Sequence, residues 1–183
     1  NQIYILLATV ADIMPMRQIN RLLALKVLKY FDINRDFIFK NLFNLLNIKK
    51  KLDLDDLGFL IAPILNSAGR LENANQIVNL FVTKSNKEKI QILDKIYFFN
   101  EKRKLIETRC LDSLNFKNIS KQKGVIFIYK PDIPEGIIGI IASRIKEYFN
   151  KPCVVLTKSN ELIKGSARST SDFNIGDHIH NAV

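Results

Sequence analysis

Four short runs in the chain combine residue types that can handle a phosphate or a metal ion. Gly165-Ser166-Ala167-Arg168-Ser169 sets two hydroxyls and a guanidinium among small residues. Small residues let a backbone approach a phosphate, and successive N–H groups in a turn form an anion-binding concavity. A guanidinium adds a fork that grips a phosphate through two hydrogen bonds. The run reads as a turn left by an apolar segment, with an ordinary polar turn as the competing reading. Asp12 ends the apolar run Ile3 to Val10, where metal-binding carboxylates occur and where a plain surface carboxylate also fits. Asn66-Ser67-Ala68-Gly69-Arg70 reads as a tight turn holding an amide and a guanidinium, or as a simple interhelix loop. Glu135-Gly136-Ile137-Ile138-Gly139 opens a helix with two glycines, either to bring N–H groups to a phosphate or to pack the helix on a sheet.

Other chemistries lack their residues. The sequence holds no Ser/His/Asp arrangement, no Walker-type loop and no CxxC pair. Hydrolysis would need metal-binding carboxylates, and a two-metal centre needs several Asp or His ligands around ions roughly 3.5–4 Å apart. Asp12 alone does not supply that. His178 and His180, the chain's two histidines, read as a surface pair on a terminal helix and are assigned no metal. Cys110 and Cys153 lack metal-type spacing and read as small core residues of a reducing compartment.

The 183 residues suffice for one good core or two small lobes. A hydrophobic content of 47% with 25% charged residues is that of a folded domain, which excludes a disordered chain. No apolar run approaches the roughly 18 residues of a membrane span, so a cytoplasmic protein without membrane contact is expected. The first residue, Asn1, is not an initiator Met, and no basic segment precedes the apolar run. The chain is therefore expected to lack a signal peptide and to start in mid-domain. The net charge of +10 and pI near 9.6 fit a polyanionic partner, nucleic acid first, although the Ile-, Lys-, Asn- and Phe-rich composition raises lysine by itself.

Apolar spacing predicts helices over Asn20 to Phe31, Asp36 to Leu46, Asp53 to Ile61 with Asp53 as cap, and Glu72 to Val82. Ser85 followed by Glu88 has capping-box form and opens the longest helix, to about Leu114. It carries Ile92, Ile96, Phe99, Arg103, Ile106 and Cys110, and its length and charged outer face read as a connector between lobes rather than a core helix. After Gly124 the pattern becomes strand at Val125 to Tyr129, helix at Ile137 to Phe149, then strands at Val154 to Leu156 and Leu162-Ile163. The fold class is α/β: a helical N-terminal part, then a small mixed sheet covered by helices.

In order and spacing, these segments resemble the RecJ family of single-stranded-DNA-specific exonucleases. Ala8 to Met16 is similar to the family's "GTVADVVPL", which closes a catalytic DHH domain, and Ile61 to Leu71 to "IAPRLNAAGRL". Asn100, Arg103, Lys104 and Glu107 fit "NxxRRxxE" on the connecting helix. Gly136 to Arg144 is similar to "GVIGIVASR" and Lys164 to Ser169 to "KGSGRS", both of the DHHA1 domain. The resemblance divides the chain into a DHH remnant with interdomain helices at 1–84, a connector helix at 85–119 and a DHHA1-type nucleic-acid-binding lobe, complete or not, at 120–183.

The resemblance implies a 5′→3′ exonuclease that uses Mn²⁺ or Mg²⁺ on single-stranded DNA. Asp12 stands where the family has its last metal-ligand aspartate. Ser166, Arg168 and Ser169 stand where it binds DNA phosphates, and Arg70 matches a basic residue facing the groove between domains. Departures accompany the match. The DHH motif and the other metal ligands are absent, and the family's Trp-His is Ile133-Pro134. Ile64 replaces an arginine and Ala167 replaces a glycine, and the chain is expected to lack the OB-fold lobe that many family members carry. The expected protein is thus the C-terminal part of a RecJ-type enzyme that binds single-stranded DNA and does not cut it alone. Two alternatives stand beside it. One is a non-catalytic nucleic-acid-binding protein, or a split-enzyme partner of a separate DHH chain. The other is an oligoribonuclease-type DHH/DHHA1 phosphodiesterase.

Overall fold

A computed structural model describes residues 2–181. The chain forms two compact units, Asn1–Asn100 and Glu101–Val183, with one long helix running through the boundary.

The first unit is helical: α1 (Gln2–Ala11), α2 (Gln18–Tyr30), α3 (Phe37–Leu45), α4 (Ala62–Leu71), α5 (Asn75–Val82) and the start of α6 (Asn86–Asp112). Its core joins Ile3 and Leu6 of α1 to Phe39 and Leu42 of α3, Ile64 and Ala68 of α4, and Leu93, Ile96 and Phe99 of α6. Polar groups start these helices. Asp36 accepts from the N–H groups of Ile38 and Phe39, each at 3.1 Å, and from the Tyr4 hydroxyl at 2.7 Å. Burial, then the Asp36 carboxylate, raises the Tyr4 hydroxyl well above its ordinary pKa. Asp53 and Asp56 cap each other's backbone, Asp56 N–H to Asp53 at 2.8 Å and Asp53 N–H to Asp56 at 3.1 Å. The helical turn that Asp53 starts is wound as a π-helix over Asp56–Ile61. The expected Ser85 cap is present, its hydroxyl accepting from Glu88 N–H at 3.3 Å.

Asn66 to Arg70 is not the turn that its small residues predict. It continues α4, because Ala62, Leu65 and Ala68 sit on the buried face at helical spacing. Buried Ser67 fits there because its hydroxyl lies 2.6 Å from the Ile64 carbonyl and 3.1 Å from that of Ile96. The helix expected from Glu72 begins instead at Asn75.

The second unit holds the end of α6, then α7 (Phe116–Ser120), β1 (Ile126–Tyr129), α8 (Glu135–Phe149), β2 (Cys153–Ser159), β3 (Leu162–Arg168) and α9 (Ile175–Asn181). The sheet order is β1-β2-β3, with β1 parallel and β3 antiparallel to β2. Ile126 and Ile128 of β1, Cys153, Val155 and Thr157 of β2, and Ile137, Ile138, Ile141 and Ile145 of α8 are buried. Period-2 alternation turns Phe127, Tyr129 and Ile163 to the exposed side. The hairpin tip uses Asn160 in the left-handed region, φ 54°.

Candidate nucleic-acid interface

Gly165 to Arg168 forms strand rather than the expected turn. The apolar pair Leu162-Ile163 predicts only a short strand, yet the pairing of β3 with β2 runs to Cys153↔Arg168. No anion-binding turn therefore exists at Gly165. Its glycine answers a different need: a Cβ there would stand 2.7 Å from Leu156 Cδ2, the cross-strand neighbour.

Strand geometry arranges the polar residues instead. Lys164, Ser166 and Arg168 pair with Thr157, Val155 and Cys153, all buried beneath α8. The three side chains thus share the face of β3 that meets α8. Arg168 Nε donates to Ser143 Oγ at 2.9 Å, and Nη1 donates to its neighbour, the Ala167 carbonyl, at 3.0 Å. Two of the five guanidinium N–H groups are thereby engaged and three remain for a ligand. Ser143 Oγ in turn donates to the Gly139 carbonyl at 3.1 Å.

Gly139 has a steric reason as well. A Cβ on it would lie 2.9 Å from Arg168 Nη2 and 3.1 Å from Ser166 Oγ. The guanidinium and the Ser166 hydroxyl both rest on the bare backbone of α8. Further along the face, Glu135 accepts from Lys164 Nζ at 2.6 Å and from Ser159 Oγ at 2.5 Å. These bonds hold the Glu135 carboxyl below its ordinary pKa, Lys164 contributing most.

α8 is also tied to α6. Buried Glu107 accepts from Arg103 Nη1 at 2.8 Å and from Arg144 Nε at 2.9 Å. The Glu107 carboxylate raises the Arg144 guanidinium pKa.

The remaining predicted residues fall on other elements. Ser169 has left the strand, and its hydroxyl accepts from Ile175 N–H at 3.1 Å, closing the loop before α9. Arg70 is exposed near the end of α4, in the first unit. Asp12 is exposed just beyond α1, its N–H bonded to the Ala8 carbonyl at 3.0 Å. Among the described residues, no three His, Cys, Asp or Glu side chains converge on a possible metal position. The residues present therefore do not fit a two-metal centre, and no hydrolytic step is derived from them. His178 is exposed on α9 and stacks on Phe173, with centroids 4.4 Å apart. Both cysteines are buried and unpaired, and burial pushes the Cys153 thiol up to about 12.

Sequence reasoning did not assign Lys164, Gly139 or Ser143 to the site. Two periodicities carried the signal: Lys164, Ser166 and Arg168 alternate as on one strand face, and Glu135, Gly139 and Ser143 recur every four residues as on one helix face.

Residues 122–183, which hold the small mixed sheet backed by α8, match the model of the DHHA1 domain family. RecJ of Haemophilus influenzae, a single-stranded-DNA-specific exonuclease, is 31% identical over 93% of this chain. Escherichia coli RecJ is likewise 31% identical, and Bacillus subtilis RecJ 29%. The chain belongs to the RecJ exonuclease family. It spans 31% of the length of the H. influenzae and E. coli proteins and 22% of the B. subtilis one. The fold is shared with Thermus thermophilus RecJ: its crystal structure in complex with Mn²⁺ matches at a TM-score of 0.84 over 97% of this chain and 26% of that one, at 24% identity. Its Mg²⁺ complex matches at 0.80 and 23% identity. No described helix is long and apolar enough to cross a membrane.

Proposed function

We propose that the chain is the strand-holding, C-terminal part of a RecJ-type 5′→3′ exonuclease acting on single-stranded DNA in the cytoplasm. Residues 1–84 are the end of its DHH catalytic domain, 85–119 the connector and 120–183 the DHHA1 lobe. The observation that carries this reading is the Arg168 guanidinium, laid on Gly139, fixed by Ser143 and adjacent to Ser166, with three N–H groups uncommitted. Such a fork matches a phosphate geometrically. Arg70 adds a second phosphate contact and Asp12 one ligand to Mn²⁺ or Mg²⁺. The other ligands belong to the rest of the DHH domain, so residues 1–183 by themselves bind DNA without cutting it.

The test is binding of single-stranded oligothymidylate carrying a 5′-phosphate or a 5′-hydroxyl, at low and moderate salt, by the parent chain and Arg168→Ala. Preference for the phosphate that disappears in the variant is the expected result. Equal, salt-sensitive binding by both proteins marks a generally basic surface and refutes the assignment. Incubation with Mn²⁺ should leave the DNA intact; degradation lost in Asp12→Ala would refute the division of labour.

A further inference from the structure

We propose that one face of α8, Glu135, Gly139 and Ser143, is a positioning template that fixes the spacing and charge of the donors on β3, so that Ser143 aims Arg168 and Glu135 restrains Lys164. The proposal rests on the nucleic-acid reading above. Its basis is a match of two repeats. Four residues of helix advance about 6.0 Å, and two residues of strand advance about 6.7 Å. Residues 135, 139 and 143 on α8 therefore keep nearly in step with 164, 166 and 168 on β3. The contacts follow that order: Glu135 meets Lys164 at 2.6 Å, Gly139 underlies Ser166 and Arg168, and Ser143 meets Arg168 at 2.9 Å.

Each contact has its own consequence. Ser143 uses the Nε–H of Arg168 and so orients the guanidinium plane without consuming Nη2. Its own proton goes to the Gly139 carbonyl, which leaves the hydroxyl oxygen as an acceptor. Gly139 admits the guanidinium because any side chain would displace Nη2. Glu135 acts oppositely. It compensates the Lys164 charge and shares itself with Ser159, so the ammonium is directed along the helix and withheld from a DNA phosphate. The template thus sharpens recognition at Arg168 and mutes a general attraction at Lys164.

These roles predict variants of opposite sign in the same assay. Ser143→Ala should lower the ratio of 5′-phosphate to 5′-hydroxyl affinity by about three- to tenfold, as loss of one orienting hydrogen bond implies. Ser143→Thr, which keeps the hydroxyl, should restore the ratio. Glu135→Gln should tighten binding of both oligonucleotides and steepen the salt dependence by about one phosphate contact. Thermal unfolding of each variant reports its folding. An unchanged ratio in Ser143→Ala, while Arg168→Ala loses it, overturns the template and leaves the functional reading standing. Loss in both Ser143 variants makes Ser143 a packing residue and also overturns the template, as does an unchanged salt slope in Glu135→Gln. Indifference of Arg168→Ala instead refutes the functional reading itself.

Discussion

Glu107 should be the most costly polar residue to remove from the second unit. Its side chain is 11% exposed and that of Arg103, its i−4 partner, 12%, whereas Arg144, its partner on α8, is 59% exposed. Glu107→Ala takes a buried carboxylate away from both the half-buried Arg103 guanidinium and Arg144. Breaking a buried pair from one side costs about 3–5 kcal/mol; partial exposure places this case at the lower end, about 3 kcal/mol. Arg144→Ala removes a solvent-screened partner while Glu107 keeps Arg103, so its cost is at most about 1 kcal/mol. In urea, with a slope of about 2 kcal/mol per molar, these become midpoint shifts of about 1.5 M and at most about 0.5 M. Circular dichroism during urea titration reads both. The Arg144→Ala shift should also shrink in high salt, and the Glu107→Ala shift should persist. Equal shifts, or a Glu107→Ala shift below about 0.5 M, would refute the assignment of Glu107 as the buried hub between α6 and α8.

Gly165→Ala should destabilise by about 1 kcal/mol through contact with Leu156, and the penalty should vanish in a Leu156→Ala background; a double-mutant cycle measures it, and additive effects would contradict the cross-strand explanation. Glu135 has a folded-state pKa below its ordinary value of 4.5, so its stabilising contribution is complete above that value and is lost as pH falls through the lower folded pKa. The stability difference between the parent and Glu135→Gln should therefore be constant near neutrality and shrink in acid. Cys153, with its thiol raised to about 12, should resist alkylation at pH 8 until the protein is unfolded; rapid native-state labelling there would contradict its burial.

Elements with a strong period were legible in the sequence. Ile126 to Tyr129 and Glu135 to Phe149 lie where apolar runs predict them, and Ser85 caps α6 as its spacing predicts. Along α6, by contrast, Ile92, Ile96, Phe99, Arg103, Ile106 and Cys110 are buried or half-buried, where its charged face suggests only a connector. The two turn errors share one cause. At Asn66 to Arg70 and at Gly165 to Arg168 the small residues suggest turns, but Ala68 and Gly165 are small because of packing. Ala68 is wholly buried in the core, and Gly165 makes room for Leu156. Local propensity yields to tertiary contact at such positions. The sequence offers Ser166 and Arg168 as phosphate donors, and the structure sets both over Gly139; the helix residues beside them become evident only once β3 is paired.

In the proposed function, holding a phosphate and cleaving it are separable tasks, and the chemistry of this surface is the reason. Lys164, Ser166 and Arg168 are donors, suited to phosphate oxygens. Activating water at a phosphodiester requires carboxylates or imidazoles that are free to bind a cation or take a proton. The carboxylate within this row, Glu135, is already engaged by Lys164 and Ser159 and held in its ionised form by them. Glu107, the carboxylate beneath the next turn of α8, is engaged by Arg103 and Arg144. Neither has an oxygen pair at liberty to share a metal ion. Under the proposed function the donor row grips the strand, and hydrolytic chemistry on it comes from other carboxylates.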